Sequence, residues 1–323
     1  MSGAGRGRAL ITGAAGQDGS YLAELLCAEG LEVHGVVRPG SELANLAAVR
    51  ERIALHAADL LAPGALRAIV EATRPDEIYH LAGPAFVPDS WGALAHTMQA
   101  IAVLAAELLD AALAHAPAAR VVLAGSREMF GSAAPSPQRE DTPCRPSTPY
   151  GAAKLAAHQL AGLARSRHGL HVSCAILFNH ESPRRRPQFV TRRVASAAAA
   201  ISLGRQRRLA LGDLGAVRDW CAAVDVVRGL RLMAAADAPE DYVLASGVGR
   251  TVSELVAVAF AHVGLDPQGR VDVDPALVRE RERSAPVGDP ARAHERLRWR
   301  ARIGFEALVG EMVDAELARL TRP

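Results

Sequence analysis

Residues 9–19 read A-L-I-T-G-A-A-G-Q-D-G, a short apolar run that breaks into glycines at 13, 16 and 19. A helical apolar pattern follows from Tyr21 to Ala28. Strand, glycine turn and helix in that order predict the first βα unit of a dinucleotide-binding sheet, because the turn lets backbone N–H groups and the helix N-terminus approach a pyrophosphate. Working outward, further apolar runs predict strands at 32–37, 53–57, 77–81, 120–124, 171–178 and 241–245. A long apolar helix is expected over about 95–114, with others at 251–262 and 305–320. The predicted fold class is α/β: a Rossmann-type, doubly wound parallel sheet with a smaller, mostly C-terminal, substrate-binding lobe. The expected division is 1–180 for the nucleotide-binding domain and 181–323 for the lobe, some segments of which return to the first domain.

Half of the 323 residues are hydrophobic, enough for a buried core, and no run is expected to reach the length of a membrane span. Met1 to Arg8 is Gly- and Arg-rich and carries no apolar signal segment, so a cytoplasmic location and no membrane partner are expected. The four cysteines are scattered, which predicts buried thiols and neither a disulfide framework nor a metal site. A formal charge of +2 gives no ground for a nucleic-acid partner.

The chemistry concentrates in residues 126–154, which begin S-R-E-M-F-G and end S-T-P-Y-G-A-A-K. Tyr150 and Lys154 are four apart, and Pro149 suits a first helical turn, so both side chains fall on one helix face. An ammonium beside a phenol is expected to lower the phenol's pKa and make it a proton acceptor for an alcohol being oxidised. A bare Y-x-x-x-K is weak, but Lys154 is the only lysine among 37 basic residues. A compact ammonium is thus present where every other basic position is Arg, which a guanidinium could not replace beside a phenol and a ribose. Paired with the glycine turn, whose spacing is G-x-x-G-x-x-G, it points to a short-chain dehydrogenase.

Arg38 ends the second strand, where an acid would suit the ribose 2′-hydroxyl of NAD and an Arg suits the 2′-phosphate of NADP. NADP is therefore the expected cofactor and NAD the alternative. Asp59, after the third strand, could bond the adenine amino group, and Ala82-Gly83 forms a small-residue turn beside the cofactor. Residues 184–218 hold nine arginines against one acid, Asp213. A solvated helix face is the plain expectation for such a run and a groove for an anionic substrate the sharper one; nucleic acid is disfavoured, since no aromatics interleave.

The stretches P-D-E-I-Y-H-L-A (75–82), P-Y-G-A-A-K-L (149–155), I-L-F-N-H-E-S-P-R-R (176–185), F-V-T-R-R (189–193) and L-G-D-L-G-A-V-R-D-W (211–220) resemble the GDP-mannose 4,6-dehydratase family, nearly end to end. The resemblance implies that Tyr150 removes the sugar 4-hydroxyl proton, Ser126 bonds the same oxygen, Lys154 holds the nicotinamide ribose, and Glu128 takes the C5 proton and helps expel the 6-hydroxyl. It further implies that Gly13, Gly16, Gln17, Asp18, Gly19, Arg38, Asp59, Leu60 and Leu81 bind the cofactor with Tyr150 and Lys154. For the substrate's nucleotide it implies Asn179, Val190, Arg193, Arg218, Arg279 and Glu282. No base-reading motif follows from spacing, so guanine rests on the resemblance alone.

Four departures from the family pattern stand out. The family's T-S-E is Ser126-Arg127-Glu128; the loop after strand two is shortened to R-P-G-S-E, which argues against the family's tetramer and leaves a homodimer through 95–114 and 150–167; G-N-L is Gly212-Asp213-Leu214; and a common Tyr is Phe130. An outward Arg127 is expected, a surface residue; an inward one would pair with Glu128, disfavour its acid role and tilt the reaction toward C5 epimerisation. Two other readings therefore accompany the 4,6-dehydratase. One is a GDP-sugar epimerase that inverts C5 through a transient 4-ketone, though 3,5-epimerase relatives carry Cys in place of Glu128. The other is an idle NADP-binding subunit, against which the intact Ser126, Glu128, Tyr150 and Lys154 argue.

Overall fold

The computed structural model describes residues 7–278 and 285–322. In its first half the chain runs β1 (Arg8–Thr12), α1 (Gln17–Ala28), β2 (Glu32–Val37), β3 (Ile53–Ala57), α2 (Ala65–Thr73) and β4 (Glu77–His80). It continues through α3 (Leu94–Met98), a π turn (Gln99–Val103), α4 (Leu104–His115), β5 (Arg120–Ala124), α5 (Pro149–His168), β6 (Val172–Leu177) and β7 (Asn179–Glu181). The second half is α6 (Val190–Ser202), β8 (Leu209–Leu211), β9 (Val217–Ala222), α7 (Ala223–Ala235), β10 (Tyr242–Leu244), β11 (Gly249–Thr251), α8 (Val252–His262), β12 (Val271–Val273), α9 (Ala291–Leu297) and α10 (Phe305–Thr321).

Seven strands form one parallel sheet in the order β10-β6-β5-β4-β1-β2-β3. All six residues of β6 are buried, as expected of a strand covered on both faces. Leu22 and Leu26 of α1 share one core with Val226, Leu230 and Met233 of α7. Leu66 and Val70 of α2, Leu108 of α4 and Ala161 of α5 build a second. The strand order reverses between β1 and β4, so the C-terminal ends of β1, β4 and β5 open on the crevice where such sheets bind ligands. At the end of β1, Gly13 takes a φ of +74°, and a Cβ there would lie 2.9 Å from the Ala82 amide; only glycine fits that approach.

The lobe carries a three-stranded sheet, β11-β9-β7, and a parallel pair, β12-β8. Its own core joins Val194 of α6, Trp220 of β9, Phe260 of α8 and Met312 of α10.

Several expectations are corrected. Helix α1 starts at Gln17, not Tyr21, so its N-terminus directly follows Gly16. The run expected as one strand over 171–178 breaks at Phe178; the chain leaves the large sheet after β6 and enters the small one at β7. Contrary to the expectation that no run reaches membrane-span length, Leu94–His115 is long and apolar enough by length and composition, with 56 % of its most apolar 18-residue window buried in the protein. Residues 184–218 are a solvated run only in part: Arg186, Arg205, Arg207 and Arg208 are exposed, whereas Arg184 pairs with Glu24, Arg185 with Glu181 and buried Arg192 with Glu316. Acids outside the segment, from neighbouring Glu181 to Glu24 and Glu316, supply the partners that it lacks.

Candidate active site

Strand β5 delivers Ser126 to the sheet's C-terminal edge, and a single 3-10 turn follows (Arg127–Met129). The Ser126 Oγ caps that turn by accepting the Glu128 N–H at 3.2 Å. Helix α5 starts on Pro149, with Thr148 as N-cap accepting the Gly151 N–H at 3.0 Å. The helix start is seated on the turn so closely that a Cβ on Gly151 would stand 2.4 Å from the Glu128 carbonyl oxygen. Two local features, a capped turn and a Pro-led helix, thereby bring Ser126, Glu128, Tyr150 and Lys154 together.

Tyr150 is buried and hydrogen-bonded to Ser126. Lys154 donates to the Ala124 carbonyl at 2.6 Å, its Nζ 5.8 Å from the centre of the Tyr150 ring. Burial pushes the phenol up to about 12; the Ser126 hydrogen bond and Arg185 pull it down, while the Glu128 and Asp18 charges push it further up. Burial brings Lys154 down to about 8. The expectation that the ammonium lowers the phenol's pKa is thus overturned. Desolvation of an enclosed phenol outweighs an ammonium already committed to a carbonyl.

Arg127 turns inward, against the expectation of a surface residue. It is 6 % exposed, and its Nη2 lies 2.6 Å from Oε1 of Glu128. A carboxylate this enclosed requires a cation or donors, and its chain neighbour supplies the cation.

The glycine turn faces the same edge. Gly16 is exposed at the N-terminus of α1, while Gly19 is buried inside it. Gln17 donates to the His180 carbonyl at 3.2 Å and accepts from the Ser182 hydroxyl at 2.8 Å. Asp18 meets His180 Nε2 at 2.9 Å. Burial opposes both charges of that pair, yet their mutual attraction prevails, lowering Asp18 and raising His180. Arg38 is exposed at the end of β2, Asp59 accepts the Leu61 N–H at 3.0 Å, Leu60 is buried, and the Leu81 N–H bonds Thr12. An exposed glycine turn at a helix N-terminus, an exposed Arg after β2 and a half-buried ammonium fit a nicotinamide dinucleotide.

Of the residues implied for the substrate, Asn179 opens β7, Arg218 lies on its neighbour β9, and Val190 and Arg193 start α6. Arg193 donates to the Ala210 carbonyl at 2.8 Å and Arg218 to that of Val217 at 2.6 Å. Asp213 serves its own turn, accepting the Gly215 N–H at 2.8 Å. Arg279, Glu282 and the alternating charges around them lie outside the described residues. A cavity of about 560 Å³ lies apart from this edge, lined by groups already paired, Arg165 with Asp241 and Arg139 with Asp289.

A family model described as GDP-mannose 4,6 dehydratase matches residues 10–312. The chain belongs to the GDP-mannose 4,6-dehydratase family. GDP-mannose 4,6 dehydratase 2 of Arabidopsis thaliana is 41 % identical, the match covering 96 % of this chain and 86 % of the relative. Among solved structures, MoeE5 in complex with UDP-glucose and NAD superimposes with a TM-score of 0.85 at 26 % identity, covering 98 % of this chain and 100 % of the other. RMD from Pseudomonas aeruginosa complexed with NADPH gives 0.83 at 25 %, covering 97 % and 99 %.

Within this member of the 4,6-dehydratase family, sequence reading passed over two histidines that shape the site. The Thr12 hydroxyl accepts N–H bonds from Leu81 and Ala82, both at 3.2 Å, which leaves its hydrogen to donate to His80 Nδ1 at 2.9 Å. His80 is therefore the neutral Nε2–H tautomer, and burial with the nearby Lys154 charge holds its pKa down to about 3. His180, paired with Asp18, is the other. Both stood in quoted motifs; a histidine next to Asn179 and opposite a loop acid was the available signal.

Proposed function

We propose that the protein converts GDP-mannose to GDP-4-keto-6-deoxymannose with NADP as cofactor. The observation that carries this reading is a carboxylate, Glu128, built into the same enclosed cluster as the dehydrogenase pair Tyr150 and Lys154. Ser126 and Tyr150 receive the 4-hydroxyl between them, and Tyr150 removes its proton as C4 is oxidised. A nicotinamide dinucleotide, which the glycine turn, Arg38 and Lys154 would hold, would supply the acceptor for the C4 hydride and its donor back to C6, with a proton returned to C5 to balance the one Tyr150 takes from the 4-hydroxyl. Lys154 keeps the phenolic oxygen and the ribose in register. The new ketone acidifies C5–H; Glu128 takes that proton and passes it to the departing 6-hydroxyl, which leaves as water. The Asn179, Val190, Arg193 and Arg218 side of the lobe would receive the nucleotide diphosphate.

The exposed Arg38 supports NADP over NAD. A homodimer is part of this reading: Trp91, Leu94 and Leu163, each more than half exposed, stand on or beside α3 and α5. To test the reaction, purified protein is given GDP-mannose and NADP and the product is weighed. Loss of one water is expected. An unchanged mass at a new retention time would mean C5 epimerisation, and unconsumed sugar with bound cofactor an idle subunit.

A further inference from the structure

The ion pair between Arg127 and Glu128 has no part in the cycle above, yet it holds the carboxylate on which the cycle turns. Three constraints converge on Glu128. Its amide is bonded to the Ser126 hydroxyl at 3.2 Å, its carbonyl is pressed against Gly151 at the start of α5, and its Oε1 lies 2.6 Å from the Arg127 guanidinium. The side chains of Arg127 and Glu128 are 8 % and 17 % exposed, so little of the pair reaches solvent. With Oε1 engaged, Oε2 is the oxygen left to exchange protons with the sugar.

Resting on the base role just given to Glu128, we propose that Arg127 is a positioning residue for the elimination step: it fixes the carboxylate so that a single oxygen, Oε2, serves both C5 and the 6-hydroxyl. In that step the C5–H bond breaks, its proton goes to Oε2, and the electron pair enters the enolate of the 4-ketone. As the C6–O bond breaks, the pair forms the C5=C6 bond, and the same proton leaves Oε2 with the hydroxide as water. Returning the proton to C5 on the face it left only reverses the step, and inversion needs a proton from the opposite face, which would leave Glu128 neutral beside Arg127; passing the proton to O6 restores the carboxylate–guanidinium pair. Orientation works the same way, because C5 and O6 are two bonds apart and an oxygen fixed between them reaches both. Arg127 thus favours water loss, the opposite of the tilt expected for an inward residue.

Arg127→Met and Arg127→Lys test this, each supplied with GDP-mannose and NADP and checked for cofactor binding. Three readouts are taken: reduced nicotinamide absorbance during turnover, the isotope effect of C5-deuterated substrate, and kcat against KM. A misplaced catalytic group costs up to about 10²-fold. Arg127→Met is expected to oxidise C4 at close to the wild-type rate, to accumulate reduced cofactor, to lose about tenfold or more in water release at little-changed KM, and to show a larger C5 isotope effect. Arg127→Lys, which keeps a cation, should recover part of the loss. The idea is overturned if Arg127→Met matches the wild type in water release and isotope effect. It is equally overturned if C4 oxidation falls in step with water release in both variants, since Arg127 would then support the whole site and not the elimination. Glu128→Gln separates this from the base assignment. If it dehydrates at the wild-type rate, the base reading fails. If it stalls with reduced cofactor while Arg127→Met does not, only the role of Arg127 fails.

Discussion

At the scale of single residues, the site is a set of enclosed polar groups whose protonation is set by what surrounds them. Tyr150 is the clearest case. Burial pushes its pKa up to about 12, so the base role proposed for it would need positive charge gathered at the phenol. Tyr150→Phe removes one oxygen and no packing. It should leave cofactor binding nearly intact and lower turnover by about 10²–10⁴-fold. A loss under about tenfold would contradict the assignment. Arg38→Ala speaks to the cofactor. A charge-assisted contact contributes roughly 1.5–3 kcal/mol, so NADP affinity should fall by at least tenfold while NAD affinity holds. Titrations of both cofactors into wild type and variant check this, and equal weakening would make Arg38 an ordinary surface residue.

At the scale of elements, the glycine turn at the head of α1 and strand β7 are bolted together. Asp18 and Gln17 reach across to His180 and Ser182, and Arg184 donates to Ser20 and Glu24 of α1. His180 has a raised pKa, so its share of stability is fully present below its unfolded value, about 6.5, and is lost as pH rises through its folded one. Asp18, lowered, contributes above its own unfolded value and loses its share in acid. The Arg185 charge acts on both groups, favouring the carboxylate and opposing the imidazolium. His180→Asn should therefore cost most melting temperature between about pH 5 and 6 and progressively less in alkaline buffer. A deficit independent of pH would mean the ion pair contributes nothing beyond packing. The exposed side of α3 and α5 makes a different claim. A charge placed there by Leu163→Glu should convert the proposed dimer to monomer in sedimentation velocity, with little change in far-UV spectrum; a wild type already monomeric would remove the dimer from the reading.

At the scale of the molecule, the large sheet was legible because its strands are apolar runs closed by turn residues. Strands 32–37, 53–57 and 120–124 form in full where the sequence places them, and 8–12, 77–80 and 242–244 to within a residue at either end. The lobe was harder. Its strands β7, β8, β11 and β12 have three residues each, too short for a periodic signal, and the paired arginines of 184–218 are answered by acids from other parts of the chain. Spacing placed Tyr150 and Lys154 on one helix, but not the inward turn of Arg127, because a side chain's direction in a one-turn segment depends on what packs over it. Lys154 carries one more consequence. It is the chain's sole lysine and sits inside a 20-residue helix with its ammonium tied to Ala124. An endoprotease that cuts only after lysine needs an extended, accessible strand, which the folded protein does not offer at that point. Digestion would then report opening of α5 alone. The expected pattern is an intact band in native buffer and two fragments of similar size once denaturant loosens the helix, slowed by bound cofactor if Lys154 grips the ribose.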